Sequence, residues 1–232
     1  MSVKVSAKLS GDQRRAAIIK AVRRVFAEKG FDGTTTRELA DAAGVSEALL
    51  FKHFPNKDAL FWAVQLSCCD GQDLVRLERL NALEPSASTL VLLVHFVVSR
   101  VVSCAARDDD DRAVLNRLLL RSLAEDGEFA RTLLDRLVSG WVTKVEECFR
   151  AAVAAGDAID GPVLPRLRGW FTHNLAAMIL FHLLPATPVV EYGVSRDALV
   201  EQAVWFALRG IGLKDEAIRR HYNPGALALF GD

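Results

Sequence analysis

Apolar side chains recur along this chain at three- and four-residue spacing almost throughout, and no segment alternates as a half-buried strand does. The pattern predicts an all-α protein. Ile18, Val22, Val25 and Phe26 share one face of a helix that starts at Asp12 and stops at Gly30. Gly30 followed by Phe31 predicts a left-handed cap with its hydrophobic contact. Thr35-Thr36-Arg37-Glu38 is a capping box that opens a second, short helix ending at Gly44. Ser46 caps a third helix that runs to about His53, and Pro55-Asn56 breaks the chain before a fourth begins near Lys57. Longer helices are predicted over residues 58–83, 88–106, 110–124, 129–155, 164–184 and 195–210. The breaks between them are Pro85, four aspartates at 108–111, Gly127, Gly156-Asp157, Gly161-Pro162, and Pro185 with Pro188. The tail from Tyr222 holds Pro224, Gly225 and Gly231 and predicts irregular structure.

A short helix, a tight turn at Gly44 and a second short helix form the geometry that places a recognition helix in the major groove of DNA. Ala40 is small where the two helices would cross, and Val45 can plug the gap beneath the turn. Leu39, Leu50 and Phe54 would seat the pair on the first helix, leaving Glu47, Ala48, Leu49, Lys52 and His53 facing outward. The chain thus divides into a three-helix, helix-turn-helix head over residues 1–57 and a long-helix regulatory bundle over 58–232.

Charge changes this picture only after it is split along the chain. The 29 basic and 29 acidic residues cancel, which is unlike a protein that neutralises phosphates. Residues 1–58, however, hold 11 Lys and Arg against 7 Asp and Glu, and residues 59–232 hold 18 against 22. A basic head of net +4 is joined to an acidic body of net −4. Cys68, Cys69, Cys104 and Cys148 match no zinc spacing and read as reduced thiols of a cytoplasmic protein. The polar start of the chain is no signal peptide. The longest apolar run, residues 90–98, is too short for the roughly 20 residues that a bilayer span needs. No G-x-S-x-G, P-loop, H-E-x-x-H or C-x-x-C is present, so the chain carries no enzyme signature. The aspartates at 108–111 point in different directions and read as a solvated loop opening a helix, not a metal cluster. No metal or cofactor is expected.

The run from Thr34 to Ser46, continued by Leu50-Phe51-Lys52-His53-Phe54-Pro55-Asn56-Lys57-Asp58-Ala59-Leu60, resembles the DNA-binding head of the TetR family of bacterial regulators. The likeness covers about residues 12–64; the body matches by no motif. It implies that Thr36 holds a phosphate through its hydroxyl and nearby N–H groups, and that Arg37 reaches a guanine edge. It implies that Glu47, Ala48, Leu49 and Lys52 form the base-reading face, and that His53 and Lys57 touch phosphates. Thr35 and Ser46 complete the DNA-contact set, although N-capping alone would account for both. Glu47 has two readings, a carboxylate favoured by the helix dipole or an acceptor for a cytosine amino group. The family usually carries Tyr where this chain has Phe51, so a phenolic hydrogen bond to phosphate is missing.

The family likeness also implies a homodimer on a (pseudo)palindromic double-stranded operator and a small-molecule effector, most often with a repressor's outcome. The last two long helices would form the dimer interface, through Trp170, Phe171, Leu175, Leu199, Ala203 and Phe206. The middle helices would enclose an effector pocket, with candidates Phe96, Trp141, Phe149 and Met178 beside His95, Arg100, His173 and His182. That composition suits a hydrophobic or amphipathic molecule. No membrane partner is expected.

Overall fold

A computed structural model describes residues 10–67, 71–104 and 110–225. Within them the chain forms α1 (Gly11–Lys29), α2 (Thr36–Ala43), α3 (Glu47–His53), α4 (Lys57–Ser67), α5 (Gly71–Asn81) and α6 (Ala87–Ser103). It continues with α7 (Asp110–Ala124), α8 (Glu128–Leu137), α9 (Ser139–Ala154), α10 (Pro165–Leu183), α11 (Arg196–Ile211) and α12 (Asp215–His221). Among the described residues the one β feature is an isolated antiparallel bridge between Ala158 and Leu213. No described helix is long and apolar enough to cross a membrane.

Several ends fall where local chemistry predicts. Ser10 and Gln13 make a capping box at α1, and Thr35 and Glu38 make another at α2. Gly44 closes α2 in the left-handed region (φ 63°, ψ 33°), where a side chain would strain the backbone. Other ends differ. Gly30 has positive φ but extended ψ (72°, −177°), so α1 ends without the left-handed cap, its N–H still bonded to Phe26 O. The helix predicted over 129–155 breaks at Val138. There Ser139 Oγ donates to Asp135 O, a side-chain bond that competes with the helical ladder, and Gly140 follows. The predicted 58–83 segment holds α4 and α5, while residues 68–70, with Cys68 and Cys69, lie outside the described residues, as do Asp108 and Asp109. α12 was not predicted. It is one short polar segment, yet Asp215 and Glu216 in its first turn and Arg219, Arg220 and His221 in its last complement the helix dipole.

The chain packs as two units, residues 1–71 with 110–129, and residues 72–109 with 130–232. The first therefore extends past residue 57 to include α4 and α7. Its core joins Ile18, Val22 and Phe26 of α1 to Leu39, Leu50, Phe54, Leu60, Phe61 and Val64, all buried. The Phe61 ring lies 4.8 Å from Phe26, 5.0 Å from Phe31 and 5.7 Å from Phe129. Burying each such ring stabilises the unit by about 1.5–3 kcal/mol.

The second unit is built on α6, whose Leu90, Val91, Leu93, Val94, Val98 and Val102 are wholly buried against α9, α10 and α11. Trp141 sits at its centre and donates Nε1–H to Leu93 O at 3.2 Å, satisfying its one polar atom. Arg168 of α10 is only 4% exposed. Its guanidinium donates to Val163 O (3.1 Å), Gly161 O (3.4 Å) and Ile211 O, and lies over the Phe149 ring at 4.1 Å. It thereby ties the 161–163 loop to the C-terminus of α11.

Candidate nucleic-acid interface

Three local devices fix the two short helices of the head. Thr35 Oγ1 accepts from Glu38 N at 3.3 Å, and the Glu38 carboxylate accepts from Thr35 N at 2.8 Å. Lys29 Nζ donates to the same carboxylate, and this ammonium, then the Thr35 bonds, hold the Glu38 carboxyl down at about 2. Ser46 Oγ accepts from Leu49 N at 3.2 Å, starting α3. The Gly44 turn brings the first turns of α2 and α3 together, where Thr36 Oγ1 donates to Glu47 Oε2 at 2.8 Å.

The buried faces of the pair are Leu39, Ala40 and Leu50, with Phe54 just beyond. The opposite faces carry the side chains expected to meet DNA. Thr35, Arg37, Ser46, Glu47, Ala48 and Lys52 are exposed, and Thr36, Leu49, His53 and Lys57 are half-buried. Arg37 and Lys52 make no hydrogen bond or ion pair among the described residues. Lys57 Nζ rests 4.2 Å above the Phe31 ring, a modest cation–π contact at an open site. Phe51, at the position usually held by Tyr, is 39% exposed.

Three residues that support this surface carry no local sequence signal. Arg15 of α1 donates to His53 O at 2.6 Å and stacks over the Phe54 ring at 4.2 Å, capping α3 from outside. Thr34 is buried and donates to Gly30 O at 2.6 Å, closing the turn between α1 and α2. Gly33 lies so close to Lys29 O that a β-carbon there would stand 2.3 Å from it. The triplet Thr34-Thr35-Thr36 looks uniform in sequence, yet each hydroxyl has a different partner.

The body residues named from the sequence occupy distinct surroundings. Trp141 and Phe149 are core. His95 is half-buried, with Nδ1 3.5 Å from Tyr222 Oη, and burial lowers its pKa; burial pushes the Tyr222 phenol up to about 12. His173 stands edge-on to Trp170, its Nδ1 buried with no hydrogen-bond partner among the described residues, and burial lowers its pKa. His182 Nδ1 pairs with Tyr192 Oη at 3.0 Å. Phe96 and Arg100 are half-buried on α6. Met178 is exposed, as are Phe171 on the same helix and Phe206 on α11, at 50%, 56% and 70%. Leu199 and Ala203 are buried inside the unit, and Trp170 and Leu175 pack against its core.

Comparison with known proteins agrees with this geometry. Residues 18–64 match the model of the bacterial regulatory proteins of the tetR family. Over 51 residues the chain is 49% identical to the HTH-type transcriptional repressor Rv1474c of Mycobacterium tuberculosis, covering 22% of this chain and 27% of that one. Over 138 residues it is 30% identical to the HTH-type transcriptional regulator RutR of Escherichia coli, 56% of this chain and 62% of the relative. The matches thus span from about a quarter to under two thirds of these relatives' lengths. The same fold is seen in NalD, the secondary repressor of the MexAB-OprM multidrug efflux pump in Pseudomonas aeruginosa. That likeness has a TM-score of 0.67 and 23% identity, over 88% of this chain and 97% of NalD. In its head, over residues 18–64, the chain is similar to the bacterial regulatory proteins of the tetR family, and its helical order beyond the head has the fold of NalD.

Proposed function

We propose that the protein is a ligand-responsive, DNA-binding transcriptional repressor that acts as a homodimer on a (pseudo)palindromic operator. The observation that carries this reading is the paired first turns of α2 and α3, joined by Thr36 and Glu47, with Arg37, Ala48 and Lys52 exposed beside them. Arg37, Glu47, Ala48, Leu49 and Lys52 would read base edges, while Thr35, Thr36, Ser46, His53 and Lys57 would hold the backbone. Lys57 near a helix start opposes the dipole, so its charge serves a phosphate better than it serves the helix.

Exposed Phe171, Met178 and Phe206 support pairing through α10 and α11, since a lone protomer would leave these apolar side chains in water. Paired heads would meet successive major grooves about 34–36 Å apart. A hydrophobic or amphipathic effector bound among α6, α9 and α10 would favour a conformer whose heads miss that spacing, so ligand and operator weaken each other by one factor. The likeness of its head to a family of regulatory proteins points away from an enzyme.

The test is selection of duplexes from a random pool without effector, followed by titration across salt concentrations. A palindromic half-site and an affinity that falls steeply with salt are expected. Lys57→Ala should weaken binding to every sequence and reduce the salt slope by about 1 per head. Absence of binding to any duplex at low salt removes the proposal.

A further inference from the structure

Resting on that reading, we propose that Thr36 is a positioning residue for base readout. Its hydroxyl holds the Glu47 carboxylate so that the head selects cytosine at one position of each half-site. A threonine hydroxyl has a single proton to donate. In this structure it goes to Glu47 Oε2 at 2.8 Å. The hydroxyl therefore donates to Glu47 or to a phosphate, and not to both. The phosphate does not need it. The Thr36 and Arg37 N–H groups head α2 and meet no acceptor among the described residues, which leaves them for a phosphate oxygen.

Glu47 does need the hydroxyl. A free glutamate on a surface samples many rotamers, and fixing it at the moment of binding costs affinity. Thr36 fixes it beforehand, from a neighbouring helix whose place is set by Leu39 and Ala40 in the core. Oε1 takes no hydrogen bond from a described residue, so the carboxylate keeps an open acceptor. An ionised carboxylate only accepts. The amino group of cytosine satisfies it, whereas guanine O6 and N7 or thymine O4 would face it with like charge. Adenine offers its amino group beside N7, an arrangement suited to an amide and not to a pure acceptor. Set among phosphates, the carboxylate is thus a penalty on every base but one, and discrimination follows from the penalty as much as from the bond.

The experiment compares base preferences of the full-length protein and of Thr36→Val, Thr36→Ser and Glu47→Gln, by sequencing bound duplexes and by salt titration. Thr36→Val removes the hydroxyl at nearly constant shape. It should relax the preference for cytosine at one position by roughly tenfold, with the salt slope unchanged. Thr36→Ser should keep the preference. Glu47→Gln should move the preferred base at that same position towards adenine, and it carries the test if Thr36→Val does not fold. Thr36→Val weakening all sequences equally with a flatter salt slope would assign the hydroxyl to phosphate and overturn the inference. An unchanged preference in Glu47→Gln would overturn it too, while leaving the repressor reading intact. Failure of the unaltered protein to bind any duplex would remove both.

Discussion

Replacing Arg168 by Met tests how the second unit is held together. The guanidinium is buried and serves main-chain carbonyls of Val163, Gly161 and Ile211; among the described residues the one carboxylate near it is the exposed Asp160, at 3.8 Å. Because its partners are carbonyls and not a buried anion, an apolar substitute removes the donor and strands the acceptors. The Gly161 and Val163 carbonyls lie on an exposed loop that water can reach, so most of the cost falls on Ile211 O. One buried carbonyl left unsatisfied costs about 2 kcal/mol, and loss of the two loop bonds about 0.5 kcal/mol each. Met recovers about 1 kcal/mol by packing on the Phe149 ring, leaving a net loss of about 2 kcal/mol. With a urea dependence of about 2 kcal/mol per molar, the unfolding midpoint should fall by about 1 M. Three of the four tryptophans, Trp141, Trp170 and Trp205, lie in this unit and Trp62 in the other, so a Trp62→Phe background lets tryptophan fluorescence read its unfolding directly. Arg168→Lys keeps the charge but not the planar fork and should lose about half as much. A Met variant with a midpoint within about 0.3 M of the unaltered protein would refute the argument, as would a Lys variant worse than Met.

Two shorter predictions concern the head. The Glu38 carboxyl titrates at about 2 in the folded protein against an ordinary 4.5, so its contribution is fully present above pH 4.5 and is lost as pH falls towards 2. Glu38→Gln should therefore melt at a lower temperature than the unaltered protein at neutral pH, with the gap closing in acid; parallel melting curves across that range would contradict the capping role. Gly33→Ala places a β-carbon 2.3 Å from the Lys29 carbonyl oxygen, a clash that only backbone movement can relieve. It should destabilise the first unit by about 2 kcal/mol in chemical unfolding, and a neutral result would show that the turn has room to spare.

The parts of the fold that were legible in sequence are those decided within four residues. Thr35 with Glu38, Ser46 and Gly44 announce their helix ends because capping is a local competition for orphan N–H and C=O groups. The buried positions Leu39, Leu50 and Phe54 followed from helical period alone. What was not legible depends on residues far apart. Nothing near Arg168 signals that it is buried, because its acceptor at Ile211 lies 43 residues away. Arg15 looks like any exposed helix arginine until His53 O meets it across 38 residues. The bond from Thr36 to Glu47 carries no sequence signal because the two stand on separate helices, 11 residues apart. The break at Val138 escaped for a different reason: the apolar period runs through it, and Val138 keeps its backbone bonds to Leu134 O and Val142 N while the Ser139 hydroxyl takes the Asp135 carbonyl.

The discontinuity of the first unit has a practical side. Phe129 lies against the ring of Phe61, and Arg121 of α7 donates to Glu28 O at the end of α1. A fragment ending at residue 57 carries every side chain proposed to meet DNA but neither Phe61 nor the helix that braces α1. One ending at residue 71 keeps Phe61 and leaves its ring open to water. Shortened heads of this kind, made for footprinting or for fusion to another protein, would bind weakly through a loosened scaffold with the proposed contact residues intact. Exchanging the second unit while keeping this head therefore calls for carrying residues 110–129 along with it, threaded through whatever unit replaces the original.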